Sequence, residues 1–368
     1  MYNFSKDALS QNVQKCIDTY NADLKRFNEV FREAFKQRTK GVKSGDLYRH
    51  LNDKEITTDK TKISWTDGLK NHLIKNKNLQ KSNEERVRLA LYRPFNKQWL
   101  YWDKDLIHRQ HQFSKIFPDK AAQNVVINTG AGNGKDFSAL VSDAIPNIHF
   151  IGGTKAYPLY CYDVIWGRRD YAISGYALNL FRKHYGDNSI TEEEIFYYIY
   201  AILHHKGYLE KYKNSLAKEA PRIALSQDFK ELSILGKELA QLHLNYEKGE
   251  MHASIQRATL MNAEEKGYYD VEKMIKEMKK GECRIIYNKN ITITKIPKKA
   301  FEYVVNGKSA IDWVIERYQK TTDKDSLIEN NPNDYAGGKY VFELLCRVIT
   351  LSEKSVDLIE KISEKRFE

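Results

Sequence analysis

The chain has 368 residues, 41% of them hydrophobic, with 60 Lys and Arg against 49 Asp and Glu for a formal charge of +11. That length supports two or three domains with ample core, and the basic balance favours an anionic partner. Cys16, Cys161, Cys283 and Cys346 lie apart without CxxC spacing, which argues against a zinc site or a disulfide framework; no apolar run is long enough to span a membrane and no signal peptide opens the chain, so a reducing cytoplasm is the expected location.

In chain order, the first element predicted is a long amphipathic helix over 6–38, N-capped by Ser5 and stopped by Gly41, with Leu9, Val13, Cys16, Tyr20, Leu24, Phe27, Phe31 and Ala34 on one stripe. Residues 40–85 are polar, with a helix expected near 66–75. From Arg86 to about Trp166 the pattern turns to strands, including buried runs at 125–127 and 149–151 bounded by turns at 130–134 and 152–153. Helices then dominate: Thr191 with Glu194 makes a capping box, and Phe229, Leu232, Leu235, Leu239 and Leu242 share one face. Arg284 to Ile296 alternates as a hairpin turning at Asn288-Lys289-Asn290. Ser309 with Asp312 caps a further helix, and a final helical pair is expected over 338–362. The fold class is α+β: a long N-terminal helix, a mixed β-sheet domain with inserted helices, and a helical C-terminal segment, divided at 1–80, 81–300 and 301–368. Residues 1–80 carry about +6 and 81–120 about +4, against about −3 over 301–368, so the basic surface is expected in the first half.

The most informative stretch is 91–163. It opens with LYRPFNKQWLYWDKDLIHRQHQF, runs through VVINTGAGNGKDFSALVSDAIPNIHFI and closes with AYPLYCYD. Aromatics and cations alternate here where an ordinary core strand would show aliphatics. Such a surface suits a polyanion with flat bases, because Arg and Lys neutralise phosphate or fork onto guanine while rings stack. As a bare pattern it also fits a core or a sugar site.

The order YRPF, three residues, WLY, then a Gly-rich strand ending in DFSALVSDAIPNIHFI, then YPLY resembles the C-terminal target-recognition region of type ISP restriction-modification enzymes and related helicase-methyltransferase fusions. The likeness extends upstream to Tyr2–Asn21 and downstream to Ile199–Leu225, Leu235–Leu244 and Val305–Tyr335, nearly the whole chain. It implies a helical segment at the methyltransferase boundary over 1–80, a DNA target-recognition domain over 81–300, and a helical tail. Double-stranded DNA is the implied partner, with a methyltransferase or helicase polypeptide in trans. No cofactor is expected in this chain, since S-adenosylmethionine, ATP and Mg²⁺ would belong to the missing domains.

Several strings imitate catalytic motifs. No N/D-P-P-Y/F-type loop occurs; Asn331-Pro332-Asn333-Asp334 reads as a turn. In GAGNGKD the gap before Gly134-Lys135 is one residue short for a phosphate loop, and Asp136 stands where Ser or Thr is needed. Pro118-Asp119 lacks a strand bearing Glu-x-Lys, because Glu277-Met278-Lys279 sits in a Lys-rich run predicted helical. His204, His205 and His243 are assigned structural roles, the first pair as imidazolium at a helix C-terminus; His108 and His111, flanking Arg109, fit either a cluster that reaches a groove or a solvated loop. The candidate DNA-binding residues are Arg93, Lys97, Arg109, His111, Lys115, Lys135 and Lys155, with Arg168 and Arg169 as phosphate contacts; Arg93 has an alternative role, pairing with Asp103. A second reading is a stand-alone enzyme acting on nucleic acid or a glycan through an aromatic-lined pocket. The lack of a convergent nucleophile and base favours the DNA-binding reading.

Overall fold

Ser5 begins the first helix as its residue type predicts: it is extended, and its hydroxyl accepts from the Ala8 amide at 3.2 Å. The computed structural model describes residues 1–107, 110–132, 135–163, 167–253, 255–257, 263, 265–279 and 282–368. Two compact units are assembled from non-contiguous chain, the first from 1–89, 98–111 and 320–331, the second from 90–97, 112–319 and 332–368.

In the first unit the expected helix is interrupted. Lys6–Arg26 is α-helical, Phe27–Phe31 widens into a π-turn, and Arg32–Arg38 resumes the α-helix. A π-turn inserts one residue into the helical repeat. The apolar stripe therefore advances by one position, so Phe35 is buried and Ala34, expected inside, is exposed. The Asp67–Ile74 helix, N-capped by Thr66, matches its expectation and sends Leu69 and Leu73 into the same core as Leu9, Val13 and Tyr20. Each such buried side chain contributes about 1.5–3 kcal/mol. Asn21 brackets Leu79 through both its amide and carbonyl, and the Tyr20 hydroxyl donates to the Lys77 carbonyl, so the polar connection over 75–79 is fastened to the first helix. The short strand Tyr2–Asn3 pairs antiparallel with Trp99 and Leu100.

The second unit holds the strands that carry most of the candidate residues. Val126–Gly132 and Lys135–Ser142 form an antiparallel hairpin whose register shifts between Gly130 and Gly132, and Lys155–Pro158 flanks its first strand. Gly130 has a steric reason: a Cβ there would stand 1.9 Å from the Ile151 carbonyl oxygen, so only glycine lets the strand approach. His149-Phe150-Ile151, expected as a strand, is instead a turn, closed by Ile148 accepting from Thr154 N and by the Thr154 hydroxyl accepting from Ile151 N. Phe150 and Ile151 are nevertheless fully buried, which is the signal that imitated a strand.

Ile127, Ala139 and Val141 pack into one core with the helices Glu192–Ile202 and Phe229–Leu244. Those two helices touch closely at Gly236, where a Cβ would fall 2.0 Å from the Tyr197 carbonyl oxygen. The Thr191 and Glu194 capping box forms as predicted. The expected pair over 338–362 is one continuous helix, Tyr340–Ser363. A second antiparallel sheet has the order Ile255–Arg257, Ile291–Ile293, Glu282–Ile286, Ile275–Lys279. Its central turn is closed by the Asn288 side chain, which accepts from the amides of Asn290 and Ile291. Glu277 thus lies on a strand rather than the predicted helix, and there it pairs with Arg284 across the ladder at 2.6 Å. No helix among the described residues is long and apolar enough to cross a membrane.

Candidate nucleic-acid interface

Beyond the flanking strand Lys155–Pro158 the chain enters a two-stranded antiparallel ribbon, Tyr160–Tyr162 with Arg169–Tyr171. Asn124 fixes the base of this ribbon. Its side-chain amide donates to the carbonyls of Ile116 at 3.0 Å and Tyr160 at 2.8 Å, and its oxygen accepts from Tyr160 N at 3.1 Å, so it imitates a strand neighbour. The same residue ties down the short helix Phe113–Ile116, which carries Lys115. Lys115, Lys155, Arg168 and Arg169 are all exposed, and Asn124 links the elements bearing the first and last two.

The two neighbouring arginines differ in state. The Arg168 Nε donates to Asp170 at 3.2 Å, an exposed pair of the kind that contributes little. Arg169 instead lies over the Tyr160 ring, 4.0 Å from its centroid, and Tyr160 leans on Tyr171 with ring centroids 4.9 Å apart. Partial burial, with Tyr171 beside it, raises the Tyr160 hydroxyl above the usual phenol range. Lys155 opens its strand opposite Thr129 and lines a cavity of about 180 Å³ with Gly130, Phe137 and Lys218.

The other candidates are placed differently. Lys97 is buried, its ammonium 2.5 Å from Glu247 and 5.3 Å from the Tyr246 ring centroid. The whole hairpin tip of the YRPF motif is internal: Phe95 is 1% exposed at φ +58, and its carbonyl accepts from the Tyr318 hydroxyl. Arg93 is half-buried over the Tyr92 ring and donates to Tyr92 O and to Asn147 Oδ1. Asp103, its alternative partner by sequence, pairs with Arg86 instead and spends its second oxygen on the amides of Asp105 and Leu106. In the first unit His111 is exposed at φ +50. His108, Arg109 and the Lys135 side chain lie outside the described residues; the Lys135 backbone faces Gly132 across the hairpin turn. Sequence reading missed Asn124, Tyr160, Tyr171 and Lys218 as parts of this surface. The string YPLYCYD held the signal for Tyr160, since residues two apart on a strand share a face.

The histidines assigned structural roles form a buried polar seam. The Val141 amide donates to the Tyr200 hydroxyl at 3.3 Å, and Tyr200 lies 2.6 Å from His243 Nδ1. On the other side His243 Nε2 is 3.0 Å from the Ser355 hydroxyl, which itself donates to the Leu351 carbonyl. Ser355 must therefore accept, Nε2 carries the proton, and Nδ1 accepts from Tyr200. Burial pushes His204 down to about 4 and His243 well below its usual range, so both are neutral imidazoles; for His204 this replaces the imidazolium expected at a helix end. His205 caps the Lys206–Lys211 helix and bonds the Lys365 carbonyl.

The described residues include no group of three His, Cys, Asp or Glu side chains able to hold a metal ion. The apolar cavity of about 300 Å³ lined by Ile127, Tyr157, Pro158, Ile173, Phe196 and Pro221 has no carboxylate, histidine or cation in its wall.

The family described as "Type ISP C-terminal specificity domain" matches residues 1–344. Among solved structures, a nuclease-deletion mutant of the Type ISP restriction-modification enzyme LlaGI, in complex with a DNA substrate mimic, aligns at TM-score 0.82 and 34% identity over 100% of this chain and 32% of that one. The ATP-dependent Type ISP enzyme LlaBIII bound to DNA aligns at TM-score 0.82 and 32% identity over 100% of this chain and 22% of that one. The DrdV complex with DNA gives TM-score 0.78 and 28% identity over 98% and 34%. The chain thus spans about a third or less of each of these proteins. No curated protein matches it.

Proposed function

The chain belongs to the type ISP C-terminal specificity-domain family, and from that membership we propose that it is the sequence-reading, duplex-DNA-binding part of a restriction-modification adenine methyltransferase. Methyl transfer, ATP hydrolysis and cleavage, with S-adenosylmethionine, ATP and Mg²⁺, are left to other polypeptide segments, and a methyltransferase or helicase polypeptide is the protein partner. The recognition segment is 81–300, and the site of action is the cytoplasm. The observation that carries this reading is the exposed basic and aromatic surface of Lys115, Arg168, Arg169 and Tyr171 on elements tied by Asn124, with Lys155 exposed on the strand that flanks the hairpin. His111, Arg109 and Lys135 complete the proposed DNA-binding set. Lys97 and Arg93 serve it from within, by fixing the hairpin whose tip is buried.

Cations on phosphates release counterions, so each contact steepens the salt dependence of binding. Titration of the 368-residue chain against a duplex of about 30 base pairs, at several salt concentrations between roughly 50 and 200 mM, is expected to give a log–log slope of about −3 or steeper. An absent or salt-insensitive interaction rejects the proposal and favours the rival, an enzyme with a glycan in the apolar cavity, whose uncharged wall predicts no such slope.

A further inference from the structure

Resting on the duplex-binding reading above, we infer that the ribbon of Tyr160–Tyr162 and Arg169–Tyr171 enters the major groove and that Arg169 reads a base there, donating two parallel hydrogen bonds to O6 and N7 of one guanine. A two-stranded antiparallel ribbon is one of the two elements whose width the major groove admits. The pairing of Tyr160 with Tyr171 and of Tyr162 with Arg169 puts these four side chains on one face, with Cys161 and Asp170 on the other. Every residue of Arg169–Tyr171 is exposed.

Two arginines stand side by side, and the structure prepares them for different work. Arg168 has an exposed carboxylate partner, Asp170, at 3.2 Å, a weak pair that a phosphate can displace. Arg169 has no carboxylate within ion-pair distance among the described residues, and its guanidinium is held over Tyr160 at 4.0 Å. A ring under the guanidinium restricts its rotamers before any ligand arrives while leaving its N–H edge available. That prior ordering is wasted on a phosphate, which accepts a hydrogen bond from many directions, but it serves a base edge, where both donors must meet two fixed acceptors. Tyr160 is fit for this support because it is itself fixed, by Asn124 at both backbone atoms and by the Tyr171 ring.

The test is selection of bound duplexes from a randomised library by the 368-residue chain and by Arg169→Ala, Arg168→Ala and Tyr160→Phe, with thermal midpoints confirming that each is folded. Arg169→Ala is expected to erase the preference at one G·C pair, by about 10- to 100-fold, and to leave other positions as they were. Arg168→Ala should lower affinity for all sequences alike, and Tyr160→Phe, which keeps the ring, should retain the parent preference. If Arg169→Ala selects the parent sequence with unchanged preference, or loses affinity evenly for all sequences, Arg169 is no base reader, although duplex binding stands. If the unaltered chain recovers no preferred sequence, the sequence-reading proposal fails and this inference falls with it.

Discussion

Lys97 and Glu247, 150 residues apart in the chain, meet at 2.5 Å, and Tyr340 donates to the second oxygen of the same carboxylate at 2.6 Å. The lysine of the YRPF segment is therefore bound inside the protein, where its charge is balanced rather than offered outward. Removing one member of a desolvated pair strands the other. Lys97→Ala is expected to destabilise the fold by about 2–4 kcal/mol, somewhat under the fully buried case because Glu247 is partly exposed. Urea titration measures this. A Lys97→Ala protein of unchanged stability but weakened DNA affinity would instead make Lys97 a phosphate contact.

The close approach of Gly236 to Tyr197 predicts that Gly236→Ala forces apart the Glu192–Ile202 and Phe229–Leu244 helices, although alanine is ordinarily the better helix former. The expected cost is about 1–3 kcal/mol, read as a lowered thermal midpoint. Stabilisation by Gly236→Ala would show that the contact relaxes freely.

Neutral, buried His204 and His243 make stability depend on pH. In the unfolded chain an imidazole protonates near pH 6.5, whereas folded His204 resists to about 4 and His243 further still. The unfolded state thus binds more protons below pH 6.5, so the contribution is complete above that value and is lost as pH falls toward 4. His204 alone accounts for a loss on the order of 3 kcal/mol across that window. Urea midpoints compared at pH 7.5, 5.5 and 4.5 test the sign; a flat profile would contradict it.

Lys155 and Lys115, exposed and aliphatic to their tips, suit phosphates. Each change to Ala is expected to flatten the salt slope of duplex binding by about 0.9 and to weaken all sequences equally. A slope unaltered in both variants would move the basic surface elsewhere, to the Lys6–Arg26 helix first.

Local chemistry was readable from the chain, and tertiary context was not. Ser5, the Thr191 and Glu194 box, Ser309 and the Asn288 turn each act within a few residues, and each forms as the sequence predicts. The burial of Phe95 depends on Tyr246, Tyr303 and Tyr318, far away in sequence, so an aromatic hairpin tip and a surface one look alike on paper. Tyr340–Ser363 runs unbroken through Ser352 and Ser355, whose hydroxyls return their protons to carbonyls four residues back, a satisfaction of polar groups inside a helix that composition does not display. In the candidate surface, charge and aromaticity singled out a stretch that holds exposed and buried cations alike. Which cations face outward depended on Asn124, Glu247 and Asp170, whose pairings no local pattern shows.

The seam through Val141, Tyr200, His243 and Ser355 runs in one direction, each donor committed to a single acceptor, and it grips the Lys135–Ser142 strand near its C-terminal end. Gly130 wedges the partner strand against Ile151. The hairpin is thereby pinned at two levels, at Val141 toward its open end and at Gly130, opposite Ser138, farther along. Two pins at separate levels forbid a slip of one residue, which would turn every side chain of the strand to the opposite face, so the strand's outward side chains can vary while its alignment holds.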